Sequence, residues 1–427
     1  MAEETPGKKE KSMIPDGMTA EDVKIKPKIY LFLNLMEKHF GPNEDNGFRD
    51  TLRQNDMTGK PEYFDLDDGH WKEWDDLHES QTRNFFQQSY GLYSKQMLED
   101  AISIYFGMHH VNPVLDMLNA LKWDEKPRVE HALHDVMKCE DTPYIRECSR
   151  LIFAGGVHRA FNPGCKFDDM IVLIGNQGAG KSTFVRWLNM EDRWFREIKT
   201  ISGKEGIEAI RGVWIGEVAE LMAMTRVKES EAVKAYITSQ EDSYRPPYAK
   251  HVVTIPRRCC FIGTTNNPQF LSDKTGNRRF YPVKVCVDGY ALLNHEKEVR
   301  DYIAQAWAEA VQMFHDGKLQ PFAKKELLEQ IRAAQAQALE DDWRIGAIED
   351  YLENMKNAPN AFVSVVELWH RALKMPEESA PTRKDSIEIA QIITSIPGWV
   401  SSERRIRTPW GIQRAFEKRN DLFPVWR

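Results

Sequence analysis

No CxxC pair occurs among the six cysteines (Cys139, Cys148, Cys165, Cys259, Cys260, Cys286), and two of them are adjacent. Neither a disulfide framework nor a zinc site is therefore legible, and unpaired thiols suit a reducing cytoplasm. No apolar run reaches the about 18 residues that a membrane span needs, and the Lys/Glu-rich start, MAEETPGKKEKSMIPDGMTAEDVK, has no apolar segment of a signal peptide. An excess of positive charge is also missing: 58 Lys and Arg stand against 65 Asp and Glu, a net charge of -7. This excludes a histone-like or ribosomal protein that coats phosphate non-specifically and confines any nucleic-acid contact to a local patch. What is present is a globular composition, 41% hydrophobic and 29% charged, over 427 residues. At about 150 residues per domain that leaves room for roughly three domains.

Residues 1–28 are polar, with proline and glycine, and read as a disordered leader. From Ile29 the spacing of Leu31, Leu33, Leu35 and Met36 predicts a helix, and the alternation from Phe48 to Trp71, broken at Thr58-Gly59 and Asp68-Gly69, predicts hairpins. Asp65, Asp67 and Asp68 lack the ligand spacing of a calcium loop and read as a turn. His109 and His110 are neighbours that would face different ways, so joint metal binding is not expected. WDEKPR (123–128) reads as a turn ahead of helices from Val129 and from Pro143.

The chemistry begins at Met170. MIVLI is the unbroken apolar run of a strand buried on both faces, and GNQGAGKS, Gly175 to Ser182, follows it directly and leads into helix-prone TFVRWLNM. Strand, GxxxxGK[ST] loop and helix come in the order a phosphate cradle requires. Backbone N–H groups of Gly175, Asn176, Gln177, Gly178, Ala179 and Gly180 would converge on phosphate oxygens, with Lys181 as a point charge, Ser182 offering a hydroxyl to Mg2+, and Thr183 in the helix's first turn. A bare glycine turn is the alternative.

The next buried run, GVWIGEV (212–218), ends in Glu217 with Glu220 three residues on. The strand beside the glycine loop is expected to end in an acid that holds magnesium, with a second carboxylate to orient water; spacing leaves the division of roles between the two glutamates open. CCFIG (259–263) leads to Asn266, placed to bond a γ-phosphate or attacking water. Arg278 and Arg279 precede a strand at 280–285 and suit either a finger on a neighbouring subunit's nucleotide or a surface ion pair. Between the acid and Asn strands, residues 233–253 mix Lys234, Arg245, Lys250 and His251 with Tyr236, Tyr244 and Tyr248 around Pro246-Pro247. Cations and rings on a projecting loop suit single-stranded nucleic acid, although a solvated turn over packed tyrosines is the plainer account.

These segments together with WDEKPR, NPGCKFDD (162–169), PRRCCFIGTTN (256–266) and DKTGNRRFYPV (273–283) resemble the virulence-associated protein E family of phages and mobile elements, itself similar to superfamily 3 helicases among the AAA+ ATPases. The resemblance is densest over 120–290. It implies ATP and Mg2+ as cofactors, Lys181 and Ser182 at phosphate and metal, Glu217 and Glu220 at the acidic motif, Asn266 at the sensor position, and Arg278 or Arg279 as finger. It also implies that Lys234, Asp242, Arg245, Tyr248 and Lys250 belong to a hairpin that touches nucleic acid in a central pore, which reverses the plainer account of that loop. Helicases of this class often carry two adjacent acids where Glu217 and Glu220 stand three apart. No primase signature precedes the core, so priming would fall to a separate protein.

The tail reads as helices over 295–340, including AQAWAEAVQMF (304–314), and then as helix, helix and hairpin, with seven basic residues (Arg404, Arg405, Arg407, Arg414, Lys418, Arg419, Arg427) against three acidic ones over 401–427. Such a stripe can hold duplex phosphates, or be a charged face packed through Trp399 and Trp410. The expected organisation is a leader (1–28), an α+β module (29–122), an α/β P-loop AAA+-like core with a parallel sheet and flanking helices (123–294), a helical lid or linker (295–344), and a mostly helical, winged-helix-like unit (345–427). The expected function is a ring-forming, hexameric DNA helicase or translocase acting in replication in a bacterial host cytoplasm, on single-stranded and duplex DNA, with no membrane partner. An ATP-assembled origin-binding or regulatory protein is the alternative.

Overall fold

The computed structural model describes residues 26–41, 51–201, 203–219, 227–245, 251–271, 277–339, 343–355 and 362–418, and the chain divides into two compact units between Leu339 and Glu340. The expected leader lies outside the described residues up to position 25.

The first unit starts with helix α1 (Ile29–Phe40), whose Leu31, Phe32, Leu35 and Met36 share one buried face at helical spacing. A meander of β1 (Leu52–Asn55), β2 (Lys60–Asp65) and β3 (His70–Glu73) follows. Its turns fall at Gly59 and Gly69, both left-handed, and the Asn55 side chain accepts from Met57 N at 2.8 Å to start the first. The Asp65 and Asp68 carboxylates of the second turn pair with the Lys72 ammonium. Helices α2 (Asp76–Tyr90) and α3 (Lys95–Met108) are N-capped by Asp75 and Ser94. Strand β4 (His110–Val111) adds parallel to β1. His109 bonds Glu37 and His110 bonds Asp56, so the two imidazoles serve different contacts.

Helices α4 (Pro113–Ala120), α5 (Ala132–Asp135) and α6 (Pro143–Phe161) lead to the main sheet. WDEKPR is the turn between α4 and α5, closed by an Arg128–Asp124 pair of 2.6 Å that draws the Asp124 carboxyl down to about 2. The sheet contains β5 (Met170–Ile174), β6 (Phe195–Glu197), β7 (Ile215–Ala219), β10 (Cys260–Thr265) and β11 (Phe280–Lys284). Its order is β11-β5-β10-β7-β6, and every pairing is parallel. Both central strands, β5 and β10, are buried along their whole length, as a sheet covered by helices on both faces requires. Between the strands run α7 (Lys181–Leu188), α8 (Gly203–Ala209) and α9 (Val227–Thr238), and a separate antiparallel pair, β8 (Glu241–Tyr244) with β9 (Val253–Pro256). Helices α10 (Gly289–Asn294), α11 (Glu296–His315) and α12 (Leu328–Gln337) complete the unit. The rings of Trp214, just before β7, and Trp307 of α11 pack tilted with centroids 4.4 Å apart, and their indoles donate to Gly156 O of α6 and Leu188 O of α7, so neither N–H is orphaned.

The second unit runs α13 (Trp343–Asn354), β12 (Phe362–Val363), α14 (Val365–Glu367) continued by a π turn, α15 (Arg383–Ser395), β13 (Trp399–Thr408) and β14 (Gly411–Lys418). The sheet order is β12-β14-β13. Ile389, Ile392 and Ile393 of α15 pack with Ile348, Leu368, Trp399 and Phe416.

Candidate functional site

Strand β5 delivers the chain to residues 175–180, where Gly178 and Gly180 take left-handed φ values of 83° and 72° that other residue types rarely adopt. Lys181 opens α7, and its Nζ donates to Gly175 O at 2.6 Å, Asn176 O at 2.9 Å and Asn266 Oδ1 at 2.9 Å. All three acceptors are neutral. Burial pushes the Lys181 ammonium below its ordinary pKa, against the opposing pull of Glu217.

Ser182 and Thr264 both donate to one oxygen of Glu217, at 2.6 and 2.7 Å, and Glu217 is 2% exposed. The sheet order corrects one expectation: the strand beside the glycine loop's strand is β10, carrying Thr264 and Asn266, and the acid strand β7 lies one place further out. Asn266 therefore sits between loop and acid, which is why Lys181 can reach it. Lys181, Ser182, Thr264 and Asn266 line a cavity of about 530 Å³ together with loop residues 177–180, Thr183, Ala219 and Thr265 and with Gly289, Tyr290 and Leu293 of α10. Glu220 lies outside the described residues.

Other expected residues lie elsewhere. Arg278 and Arg279 precede β11, whose register runs from Phe280 beside Met170 to Lys284 beside Ile174. They thus flank the end of β5 opposite the glycine loop, four steps or about 13 Å of strand away. Arg278 is exposed, and the Arg279 Nε is buried without a partner among the described residues. In the 233–253 segment, Lys234 belongs to helix α9 rather than to the hairpin and is 3% exposed. This corrects its expected place on a nucleic-acid surface, because the face it occupies is packed. Asp242 is turned inward to pair with Arg257. Tyr236 and Tyr244 are buried, as the plainer account of that loop has it. Arg245 is exposed, whereas Tyr248 and Lys250 lie outside the described residues.

Four residues escaped sequence reasoning. Thr264 was legible only as part of a strand end, and its bond to Glu217 spans 47 positions. Gly289 and Tyr290 reach the glycine loop from more than 100 residues downstream and carry no motif. Arg257 was given no role, and its pairing with Asp242 had no local signal.

A sequence profile of the virulence-associated protein E-like domain matches residues 118–340. That is more than half of the chain, which belongs to this family. No curated protein matches. Among solved structures, the A form apo structure of the NrS-1 C-terminal region is similar at 12% identity and a TM-score of 0.51, covering 92% of this chain and 100% of that one. An apo structure of the same region gives 13% identity and a TM-score of 0.49, over 86% and 95%. At 12% identity the first of these likenesses is one of fold. Among the described residues no helix is long and apolar enough to cross a membrane.

Proposed function

We propose that this member of the virulence-associated protein E-like family is a P-loop, AAA+-like ATPase that assembles as a ring, hexameric by resemblance, and moves along single-stranded DNA to unwind duplex during replication of a phage or other mobile element. The observation that carries the reading is Lys181: a buried ammonium at the N-terminus of α7, below a glycine loop, held only by neutral acceptors. A triphosphate would bring the negative charge that this cation lacks at contact distance, and the loop's N–H groups and the helix dipole would add to it.

Ser182 Oγ and Glu217 Oε1, 2.6 Å apart, are hard oxygen donors of the kind Mg2+ takes, so the residues fit that ion. It would supply charge neutralisation at the β- and γ-phosphates. We assign Glu217 to the metal side because Ser182 bonds it, which leaves Glu220 to orient water and Asn266 to sense the γ-phosphate. Arg278 and Arg279, at the opposite end of the sheet from their own chain's loop, suit a neighbour's nucleotide in a ring. Arg245, with Tyr248 and Lys250, would meet the single strand, while the exposed Arg405, Arg407 and Arg414 of the C-terminal hairpin suit duplex phosphates on a winged-helix-like unit. Priming or origin recognition would come from a separate protein.

Lys181→Ala is expected to lower ATP turnover by about 100-fold or more while circular dichroism stays that of the wild type. Turnover at the wild-type rate would sink the site. A second reading, an ATP-assembled origin-binding protein, draws on the exposed arginines of the C-terminal hairpin; it expects no stimulation of turnover by single-stranded DNA, whereas the helicase reading expects several-fold.

A further inference from the structure

The cavity beyond the glycine loop has a wall that the phosphate chemistry leaves unused. Helix α10 rests directly on the loop: a Cβ at Gly289 would lie 1.9 Å from Gly178 O, and one at Gly180 would lie 2.7 Å from Leu292 Cδ2. Glycine at both positions is what permits the contact. Asp288 caps the helix by accepting from Tyr290 N at 3.0 Å, which fixes where its first turn points. Leu292 is buried at 4%, whereas Tyr290 and Leu293, three apart and so on one face, are 82% and 53% exposed and line the cavity. A tyrosine this exposed, fixed by a capped turn beside a phosphate cradle, gains nothing for folding from its ring.

Resting on the nucleotide reading above, we infer that Tyr290, with Leu293 beside it, is the platform on which the nucleoside base of the bound triphosphate stacks. The phosphates would lie against Lys181 and the loop, and the base would extend across to α10. Because every base has a π face, the ring contributes affinity for having a base more than choice among bases.

The test is the affinity of wild type, Tyr290→Ala and Tyr290→Phe for ATP and for inorganic tripolyphosphate, each with Mg2+. Stacking on an aromatic ring is commonly about 5- to 150-fold in affinity. Tyr290→Ala is therefore expected to weaken ATP about tenfold and leave tripolyphosphate unchanged, and Tyr290→Phe to keep both. Unchanged ATP binding in Tyr290→Ala, or equal weakening of ATP and tripolyphosphate, would overturn the platform. Wild-type protein that binds tripolyphosphate as tightly as ATP would overturn it too, and leave the phosphate cradle standing. Wild-type protein that binds neither would overturn the cradle and the platform with it.

Discussion

Two buried cations in the first unit are held in opposite ways. Lys181, at the glycine loop, bonds two carbonyls and the Asn266 amide oxygen, and its pKa falls below the ordinary value through burial. Arg257, at the root of the β8–β9 hairpin, is buried more deeply but bonds the Asp242 carboxylate through Nε at 2.9 Å and through a second nitrogen, and also the Tyr236 carbonyl. Burial works against its charge too, yet the bonds to Asp242 win and its pKa rises. The contrast separates a cation matched by a carboxylate within the fold from one held only by neutral oxygens. Rings of Tyr236 and Phe261 lie 4.8 and 5.7 Å from the Arg257 guanidinium, so that root is a structural post, and any contact with nucleic acid belongs to the chain beyond it.

The sharpest way to break this contrast is to remove the partner of the matched cation. Asp242→Ala would leave the Arg257 guanidinium, 1% exposed, without a counter-charge, and breaking a buried pair in this way typically costs about 3–5 kcal/mol. Urea unfolding should show a loss of that size. Lys181→Ala strands no buried counter-ion at bonding distance, so its unfolding free energy should stay within about 1 kcal/mol of wild type although turnover collapses. Equal losses of stability in the two variants would erase the distinction between post and site.

A third kind of cation is exposed and crowded. In the C-terminal hairpin Arg405 stands directly opposite Arg414, with Arg407 two residues along the same strand, and like charges facing across a sheet are destabilising. Replacing all three with glutamine should therefore leave the fold as stable or slightly more so. Each lost phosphate contact lowers the salt dependence of duplex binding by about 0.9 in log–log slope, so a drop of about 2 to 3 is expected. An unchanged slope would leave the arginines without a duplex role.

How much of this was legible in the sequence follows how local each feature is. The GNQGAGKS loop, its strand and its helix are contiguous, so their geometry and their chemistry could be read together. Glu217 and Asn266 could be read because one is a carboxylate set within a buried apolar run and the other directly follows one. The order of the strands could not be read, because β10 inserts between β5 and β7 although it comes later in the chain than both, and nothing in the apolar runs encodes which neighbours pair. Lys234 misled for a related reason: a lysine beside tyrosines looks like a binding surface until packing decides which face of α9 is covered, and that face is buried.

The smallest expected effect asks whether mismatched charge is confined to the loop end of the sheet. Asp169 sits at the other end of β5, half-buried, where burial raises its carboxyl to about 7 although the Tyr281 hydroxyl bonds it and pulls the other way. An acid whose folded pKa lies above its unfolded value of about 3.9 favours folding when protonated. Its contribution is complete below about pH 4 and is lost as pH rises through about 7. Asn keeps a hydrogen-bonding amide and removes the titration, so Asp169→Asn should match wild type near pH 4 and exceed it by about 1–2 kcal/mol at pH 8, less than the full shift because the group is partly solvated. Parallel stability curves for the two proteins between pH 4 and 8 would show that this carboxyl does not carry the mismatch, which would then be left to Lys181 at the loop end of the sheet.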